Sequence, residues 1–190
     1  MTRIAIIIGS IRPGRKGEAV ARWVLDQART RTDAEYVLVD LKEIALPFLD
    51  EIAPPSLGQY ANAHTKSWAA TVDGFDGFVF VTPEYNHSTS AALKNAIDFI
   101  YQEWNNKAAG FVGYGSVGGA RAIEHLRAIM AEVQVATVRA QVMLSLFTDF
   151  EDFSTFTPAP LHTDAVSTML DQVVAWSDAL KPLRAPAPSR

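Results

Sequence analysis

Three consecutive segments near the start of the chain decide the fold: RIAIII at residues 3–8, GSIRPGRKG at 9–17 and EAVARWVL at 18–25. The apolar, β-branched segment predicts a buried strand, the basic Gly-rich segment a turn, and the amphipathic segment a helix. A helix N-terminus presents unpaired backbone N–H groups and a partial positive charge. This first turn is therefore expected to bind a phosphate group.

Length and composition indicate one α/β domain. The chain has 190 residues, and 48% of them are hydrophobic, which suffices for one well-buried core. We predict a single domain over residues 1–184 and a disordered tail over 185–190, which read APAPSR. The 17 basic and 21 acidic residues give a net charge of -4. This charge argues against a nucleic-acid partner, which is normally bound by a broad positive field.

The residue types that are missing exclude further classes. Cysteine is absent, which excludes disulfides, thiol catalysis and thiolate metal sites. No apolar stretch approaches the roughly 20 residues that a membrane span needs, and residues 1–8 enter a strand without the pattern of a secretory signal. We expect a cytoplasmic protein that does not span a membrane and that binds no metal.

Strand and helix patterns alternate along the whole chain. The apolar strands lack polar alternation, so they predict a parallel five-stranded sheet that is doubly wound, with helices on both faces. Pro83 is expected to end the third strand, and residues 47–58 to form an irregular rim of the site. The predicted strands are 3–8, 35–41, 77–82, 108–114 and one within 140–147. The predicted helices are one at about 18–31, three marked by apolar positions between 61 and 72, 92 and 100, and 123 and 133, and one within 163–183.

Ligands of such sheets bind beyond the carboxyl ends of the strands, where the strand order reverses. Three loops leave the strands there, at residues 9–17, 83–90 and 115–120. The first carries the Ser10 hydroxyl and the guanidinium groups of Arg12 and Arg15, which suit a terminal phosphate, and it lacks the Gly-Lys-Ser/Thr ending of a Walker loop. The alternative is a solvated basic turn.

The second loop combines Pro83, Glu84, Tyr85 and Asn86 at the end of a strand. Backbone donors of such a loop can read the edge of a planar heterocycle while an aromatic or apolar side chain covers its face. Tyr85 can equally be a packing residue and Asn86 a turn former. His87 is the histidine best placed to contact a substrate, or else a solvated loop residue.

The third loop, GYGSVG at residues 113–118, matches the pattern G-x-G-x-x-G. The dinucleotide fingerprint belongs in the first βα unit and needs an acidic residue about twenty positions later. Residues 135–139 contain no acid, although Arg139 would suit a 2′-phosphate, so a nicotinamide-binding Rossmann site stays open. We favour a close approach of Gly115, Ser116 and Gly118 to a flat ring.

Together, four segments resemble the NADPH-dependent FMN reductase family. They are GSxR at residues 9–12, TPEYNxS at 82–88, LKNAID at 93–98 and GYGSxGGxRA at 113–122. The resemblance implies a flavodoxin-like fold, noncovalently bound FMN and a homodimer or homotetramer. It also implies two-electron reduction of a flavin, a quinone or a similar small acceptor by NADPH or NADH. An interface role is implied for the helix at 92–100 and the aromatic segment at 150–156.

The same resemblance suggests which part of the cofactor each of the three loops would bind. Ser10, Arg12 and the backbone near Gly17 would hold the FMN phosphate, and residues 83–86 would border the isoalloxazine. Gly115, Ser116 and Gly118 would approach its other edge. The chain departs from the family pattern at Gly17-Glu18, where many members have Ser and Asn, and at residues 89–91, where many have a proline.

No catalytic side chain is required, because the flavin carries the electron chemistry. The nicotinamide and the acceptor would use one face of the ring in turn, which predicts ping-pong kinetics. Two other classes remain open: a flavodoxin-type electron carrier or flavin-responsive binding protein without NADPH turnover, and the Rossmann oxidoreductase built on residues 113–118. A net charge of only -4 argues against the carrier class, whose members are usually strongly acidic.

Overall fold

The computed structural model describes residues 1–184, and the tail predicted at 185–190 lies outside the described residues. Its strands are β1 Thr2–Ile8, β2 Ala34–Asp40, β3 Gly77–Pro83, β4 Lys107–Gly115, β5 Val135–Ser145, β6 Phe150–Glu151 and β7 Thr155–Phe156. Its α-helices are α1 Gly17–Ala28, α2 Leu41–Ile44, α3 Ala63–Asp73, α4 Ala91–Asp98, α5 Ala120–Glu132 and α6 Leu161–Leu180. Short 3-10 turns lie at Pro55–Leu57, Gln102–Trp104 and Lys181–Arg184.

Five strands form one parallel sheet in the order β2-β1-β3-β4-β5, and β6 and β7 form a separate antiparallel hairpin. All residues of β3 and β4 are buried, as their unbroken apolar sequences predict. The doubly wound, five-stranded α/β prediction is confirmed. Because the chain runs from β1 to β2 on one side and returns to β3 on the other, the order reverses between β1 and β3. The loops that follow these two strands therefore lie side by side.

The alternation of side chains along β1 divides the core into two layers. Ile4, Ile6 and Ile8 pack on one face with buried residues of α1 and α6. Ala5 and Ile7 lie on the other face with residues of α3, α4 and α5. An aromatic cluster fills the second layer, where the ring centroids of Phe78 and Trp104 are 4.9 Å apart.

Two predicted boundaries are wrong. The first helix ends at Ala28 rather than at residue 31, and the guanidinium of Arg31 forms ion pairs with Asp33 and Asp171 beyond the helix. The last strand of the sheet begins at Val135 rather than near residue 140. β5 is an edge strand with half-buried and exposed positions such as Arg139, and its pairing with β4 shifts register between Ala109 and Phe111. The sequence of this edge strand therefore lacks the apolar run that marks an inner strand.

Lys107 anchors the end of the sheet that lies opposite the three loops. Its buried Nζ donates to the carbonyl oxygens of Val72 at 2.9 Å and Asp73 at 3.3 Å, at the C-terminus of α3. A cation at this end of a helix interacts favourably with the helix dipole. Burial lowers the pKa of Lys107 to about 8. This lysine therefore belongs to the packing of α3 on the sheet.

The longest helix, α6, packs on the sheet. Its buried side chains include Met169, Leu170 and Val173, whereas Asp164 and Asp171 face solvent. Within residues 1–184, none of the helices combines the length and apolar character that crossing a bilayer requires.

Candidate functional site

The carboxyl ends of β1, β3 and β4 bring the three predicted loops together. The amide of Gly9 donates to the carbonyl of Val81 at 2.9 Å, and the Ser90 hydroxyl donates to the carbonyl of Gly9. The amide of Glu84 donates to the carbonyl of Tyr114 at 3.0 Å. Backbone contacts therefore connect the first loop to the second and the second to the third, as the parallel topology requires.

A buried hydroxyl pair lies beneath the first loop. The Tyr114 hydroxyl donates to Ser10 Oγ at 3.1 Å, and Ser10 is fully buried. Burial raises the pKa of Tyr114 to about 12, so its hydroxyl keeps its proton at neutral pH. A Cβ at Gly17 would lie 2.6 Å from Ser10 Oγ and 2.8 Å from the Tyr114 hydroxyl oxygen. This contact explains why the chain has glycine where the family pattern often has a larger polar residue.

The N-terminus of α1 has the features of an anion site. Its N-cap residue, Lys16, makes no capping hydrogen bond through its side chain. The first N–H groups of a helix need an acceptor, and the nearby Gly17 leaves the backbone open where a side chain would collide. The residues at this helix end therefore fit a phosphate group.

The two arginines of the first loop lie in different environments. Arg15 Nη1 donates to the Ser10 carbonyl at 2.7 Å and to Asp40 Oδ1 at 2.6 Å, and Nη2 forms an ion pair with Asp40 Oδ2. The side chain of Arg15 is only 8% exposed. Arg12 is exposed, and its guanidinium carbon lies 5.9 Å from the centroid of the Tyr85 ring. Arg12 therefore lies between the first and second loops, whereas Arg15 fastens the first loop to the end of β2.

Asp40 is held as a carboxylate by these contacts. Burial alone would raise its pKa, but the hydrogen bonds from Arg15 and from the backbone N–H of Lys42 outweigh burial and lower the pKa below its ordinary value. The Lys42 amide lies 2.9 Å from Asp40 Oδ1, so Asp40 also caps α2. Asp40 is a site-forming residue that the sequence patterns missed. The sequence signal that could have indicated Asp40 is a charged side chain at the carboxyl end of a strand.

The second loop is a two-residue turn. Tyr85 and Ser88 exchange backbone hydrogen bonds of 2.9 and 3.0 Å. Asn86 and His87 both have positive φ, 48° and 68°, which is the conformation of a type I′ turn. Asn86 thus forms the turn at an exposed tip. Pro83 is the buried last residue of β3.

Glu84 faces α5. Its side chain is almost fully buried, forms an ion pair with the guanidinium of Arg121 and accepts from the Arg121 backbone N–H at 3.1 Å. Nη1 of Arg121 also lies 2.8 Å from Nε2 of His87. The sequence motif GYGSxGGxRA contained Arg121, but its link to Glu84 joins the second loop to the start of α5.

The glycines of the third loop allow backbone segments to pack closely. A Cβ at Gly118 would lie 2.7 Å from Met143 Cβ, and one at Gly119 would lie 2.7 Å from Gly113 Cα. The Gly115 carbonyl accepts from the amides of Gly118 and Leu146. Packing inside the protein therefore accounts for these glycines. Ser116 lies exposed at the tip of the loop.

An apolar groove of about 500 Å³ lies beside the first loop. The Asn95 side chain holds one wall in place, because it donates to the Pro47 carbonyl at 2.7 Å and accepts from the Leu49 amide at 3.0 Å. Phe48 and Ile52 of the same irregular segment are 85% and 98% exposed. The groove is lined by Ile11, Leu41, Lys42, Ala45, Leu46, Pro47, Phe48, Ala91, Ala92, Asn95 and Ala96.

Comparison with known proteins identifies the family. The family model described as NADPH-dependent FMN reductase matches residues 2–149. The chain belongs to the NADPH-dependent FMN reductase family. It is 37% identical over 146 residues to an NAD(P)H-dependent FMN reductase of Schizosaccharomyces pombe, an alignment that covers 76% of this chain and 73% of the relative. This FMN reductase family member is thus an oxidoreductase enzyme whose family uses FMN and NAD(P)H.

One further relative and one solved structure are similar to this chain. An NAD(P)H-dependent FMN reductase of Saccharomyces cerevisiae is 39% identical over 142 residues, covering 67% of this chain and 73% of the relative. The solved structure of a flavoenzyme NAD(P)H:(acceptor) oxidoreductase from Paracoccus denitrificans superimposes with a TM-score of 0.73 at 20% identity, covering 94% of this chain and 98% of that one. This structural likeness shows the flavodoxin-like fold of the FMN reductase family member.

Proposed function

We propose that the enzyme transfers two electrons from NADPH or NADH, through bound FMN, to a free flavin, a quinone or a similar small acceptor by a ping-pong mechanism. One observation carries this proposal. The N-terminus of α1, which lacks a side-chain cap, lies beside two loops that follow neighbouring strands. This arrangement offers an anion site at one end and backbone-lined edges for a flat ring at the other. The family match supports the same cofactor.

The first loop would hold the phosphate of FMN. We assign the contacts to the exposed guanidinium of Arg12 and to the backbone N–H groups around Gly17, where α1 begins. The Ser10 hydroxyl lies under the loop with Tyr114, so Ser10 would shape the phosphate site from below. Arg15 is a positioning residue, because its guanidinium already binds Asp40 and the Ser10 carbonyl.

The second and third loops would border the isoalloxazine. We assign one edge to Pro83, Glu84, Tyr85 and Asn86, and the other edge to the loop that contains Gly115, Ser116 and Gly118. Within these loops, the Glu84 carboxylate faces Arg121, so the backbone of residue 84 rather than its side chain would face the ring. Bound FMN supplies two-electron transfer between the nicotinamide and the acceptor. The protein's task is to orient both on one ring face.

We also propose a homodimer or homotetramer. The exposed side chains of Phe48 and Ile52 lie on the segment that forms one wall of the apolar groove. In a two-fold interface the same patch meets itself, so each chain's exposed side chains can fill the other's groove. Sedimentation velocity is expected to give a mass of two or four chains. A mass of one 20.8 kDa chain at micromolar concentration would contradict the proposal.

The visible spectrum of the purified protein tests the proposed function. We expect the absorption bands of oxidised flavin, bleached by NADPH in the absence of air. A flavodoxin-type carrier would show the bands without bleaching, and a Rossmann oxidoreductase would be colourless and bind NADPH alone. A colourless protein that also fails to take up added FMN would rule out the proposal.

Initial rates at several fixed acceptor concentrations test the mechanism. Parallel double-reciprocal lines are expected if the nicotinamide leaves before the acceptor binds to the same face. Intersecting lines would instead indicate a ternary complex.

A further inference from the structure

Three side chains with N–H groups lie together beside the second loop. His87, at the tip of the Tyr85–Ser88 turn, accepts from Arg121 Nη1 through Nε2 at 2.8 Å. His125 Nδ1 lies 3.0 Å from the Ser88 hydroxyl, at the other end of the same turn. Arg121 and His125 are four residues apart on α5 and so share one face of the helix. All three side chains are exposed, and they form what we call the rim cluster: His87, Arg121 and His125.

The hydrogen bonds of the rim cluster leave N–H donors on exposed side chains. Arginine has no acceptor, so its contact with His87 Nε2 requires that the ring proton of His87 lies on Nδ1, which makes no other hydrogen bond among the described residues. Glu84 occupies the inner side of the Arg121 guanidinium and is itself nearly fully buried. The carboxylate thus fixes Arg121 without presenting an acceptor to solvent. A surface of donors that carries a fixed arginine is suited to a phosphate group.

Two residues of the rim cluster are unfavourable for the local backbone structure in which they lie. His87 has a φ of 68° at the turn position where glycine is typical, and a residue with a Cβ is strained there. Arg121 lies in the first turn of α5, where the helix dipole disfavours a cation. Local choices that oppose stability are expected at functional sites. The ion pair with Glu84 offsets the cost at Arg121, whereas a ligand that needs His87 would explain the strained histidine.

We propose that the rim cluster binds a phosphate group of the nicotinamide cosubstrate, and that this group is the 2′-phosphate that distinguishes NADPH from NADH. The inference rests on the proposed function, because residues 83–86 place the rim cluster next to the assigned edge of the ring. With the nicotinamide over the ring, the adenosine half of the cosubstrate would extend outward across the Tyr85–Ser88 turn. Arg121 and the two histidines would then meet its 2′-phosphate.

Titration calorimetry of the FMN-loaded protein with NADP⁺ and with NAD⁺ tests the proposal. Arg121→Lys, which keeps the charge near Glu84, and His125→Ala are each expected to weaken NADP⁺ binding about tenfold, the loss of one charge-assisted hydrogen bond. NAD⁺ binding is expected to stay unchanged. Equal losses for both nucleotides would overturn the proposal, because they would place the contact at the pyrophosphate that both nucleotides share. NADP⁺ affinities within twofold of the wild type in both variants would overturn the proposal.

His87→Gly separates a ligand role from a structural one. Glycine suits the positive φ, so we expect the Tm to rise by about 2 °C, while NADP⁺ binding weakens about tenfold. A merely structural His87 would leave NADP⁺ binding unaffected. Arg29→Gln is the matched control, because Arg29 is 68% exposed at the far end of α1 and pairs with Asp26 of the same helix. Wild-type protein that fails to hold FMN or to oxidise NADPH would refute the proposed function instead.

Discussion

Gly119→Ala is expected to lower the free energy of unfolding by about 3 kcal/mol, combining left-handed strain with overpacking. Gly119 has a φ of 73°, and an added Cβ would lie 2.7 Å from both Gly113 Cα and Tyr114 N. These atoms belong to the backbone of β4, which is fully buried and hydrogen-bonded on both sides, so they cannot move away. Urea denaturation measures the loss.

Gly14→Ala is the matched control for this effect. Gly14 has a similar φ of 67°, but an added Cβ would meet no atom within 4 Å. Only the conformational strain remains, so we expect a loss of about 1 kcal/mol. Equal losses in the two variants would show that the close approach to β4 is not what requires glycine at position 119.

Asp40→Asn is expected to lower the free energy of unfolding by about 3 kcal/mol, because the nearly buried guanidinium of Arg15 then keeps only one carboxylate contact, the longer one with Glu18 at 3.4 Å. The side chains of Arg15 and Asp40 are 8% and 12% exposed, so water cannot replace the lost partner fully. Arg15 also holds the Ser10 carbonyl, so we expect FMN affinity to fall about tenfold as the loop loosens. Urea denaturation and fluorescence titration with FMN measure the two effects.

Arg12→Ala is the companion variant, because it separates contact with FMN from support of the loop. Arg12 is exposed, and its guanidinium lies over the Tyr85 ring without an ion pair among residues 1–184. We expect FMN affinity to fall at least tenfold, with an unchanged free energy of unfolding. Unchanged FMN affinity would remove Arg12 from the phosphate site. A wild-type free energy of unfolding in Asp40→Asn would show that the Arg15–Asp40 pair does not support the loop.

The pH dependence of the Asp40→Asn effect follows from the lowered pKa of Asp40. A carboxylate whose pKa is lower in the folded state contributes stability above its unfolded value, near 3.8, and loses it as pH falls through the folded value. The difference between wild type and Asp40→Asn is therefore expected to be full at neutral pH and to shrink below about pH 3.8. A constant difference down to pH 3 would contradict the ion-pair explanation.

The inner part of the sheet was predictable because its strands lack polar alternation. β1, β3 and β4 are buried on both faces, and their apolar runs predicted them within one or two residues. β5 is an edge strand in which the exposed Arg139 interrupts the apolar positions, so its first half lacks the unbroken run that marks an inner strand. A strand that is buried on both faces is easier to recognise from its sequence than a strand that is buried on one face.

The sequence by itself determined that three loops meet at one edge of the sheet. Parallel strands end at one edge, so the loops at residues 9–17, 83–90 and 115–120 had to converge there, and their motifs indicated the family. The sequence also placed Arg12 and Arg15 in the same basic loop, but it gave no means to distinguish them.

Only the tertiary structure distinguished these two arginines, because one is paired inside the protein and the other is exposed. Arg15 is bound by Asp40, which is 25 residues away in sequence and is brought close by the pairing of β1 with β2. Glu84 and Arg121 are likewise joined by the pairing of β3 with β4. The direction of a charged side chain depends on which opposite charge the fold brings within reach, and that partner lies on another strand or helix.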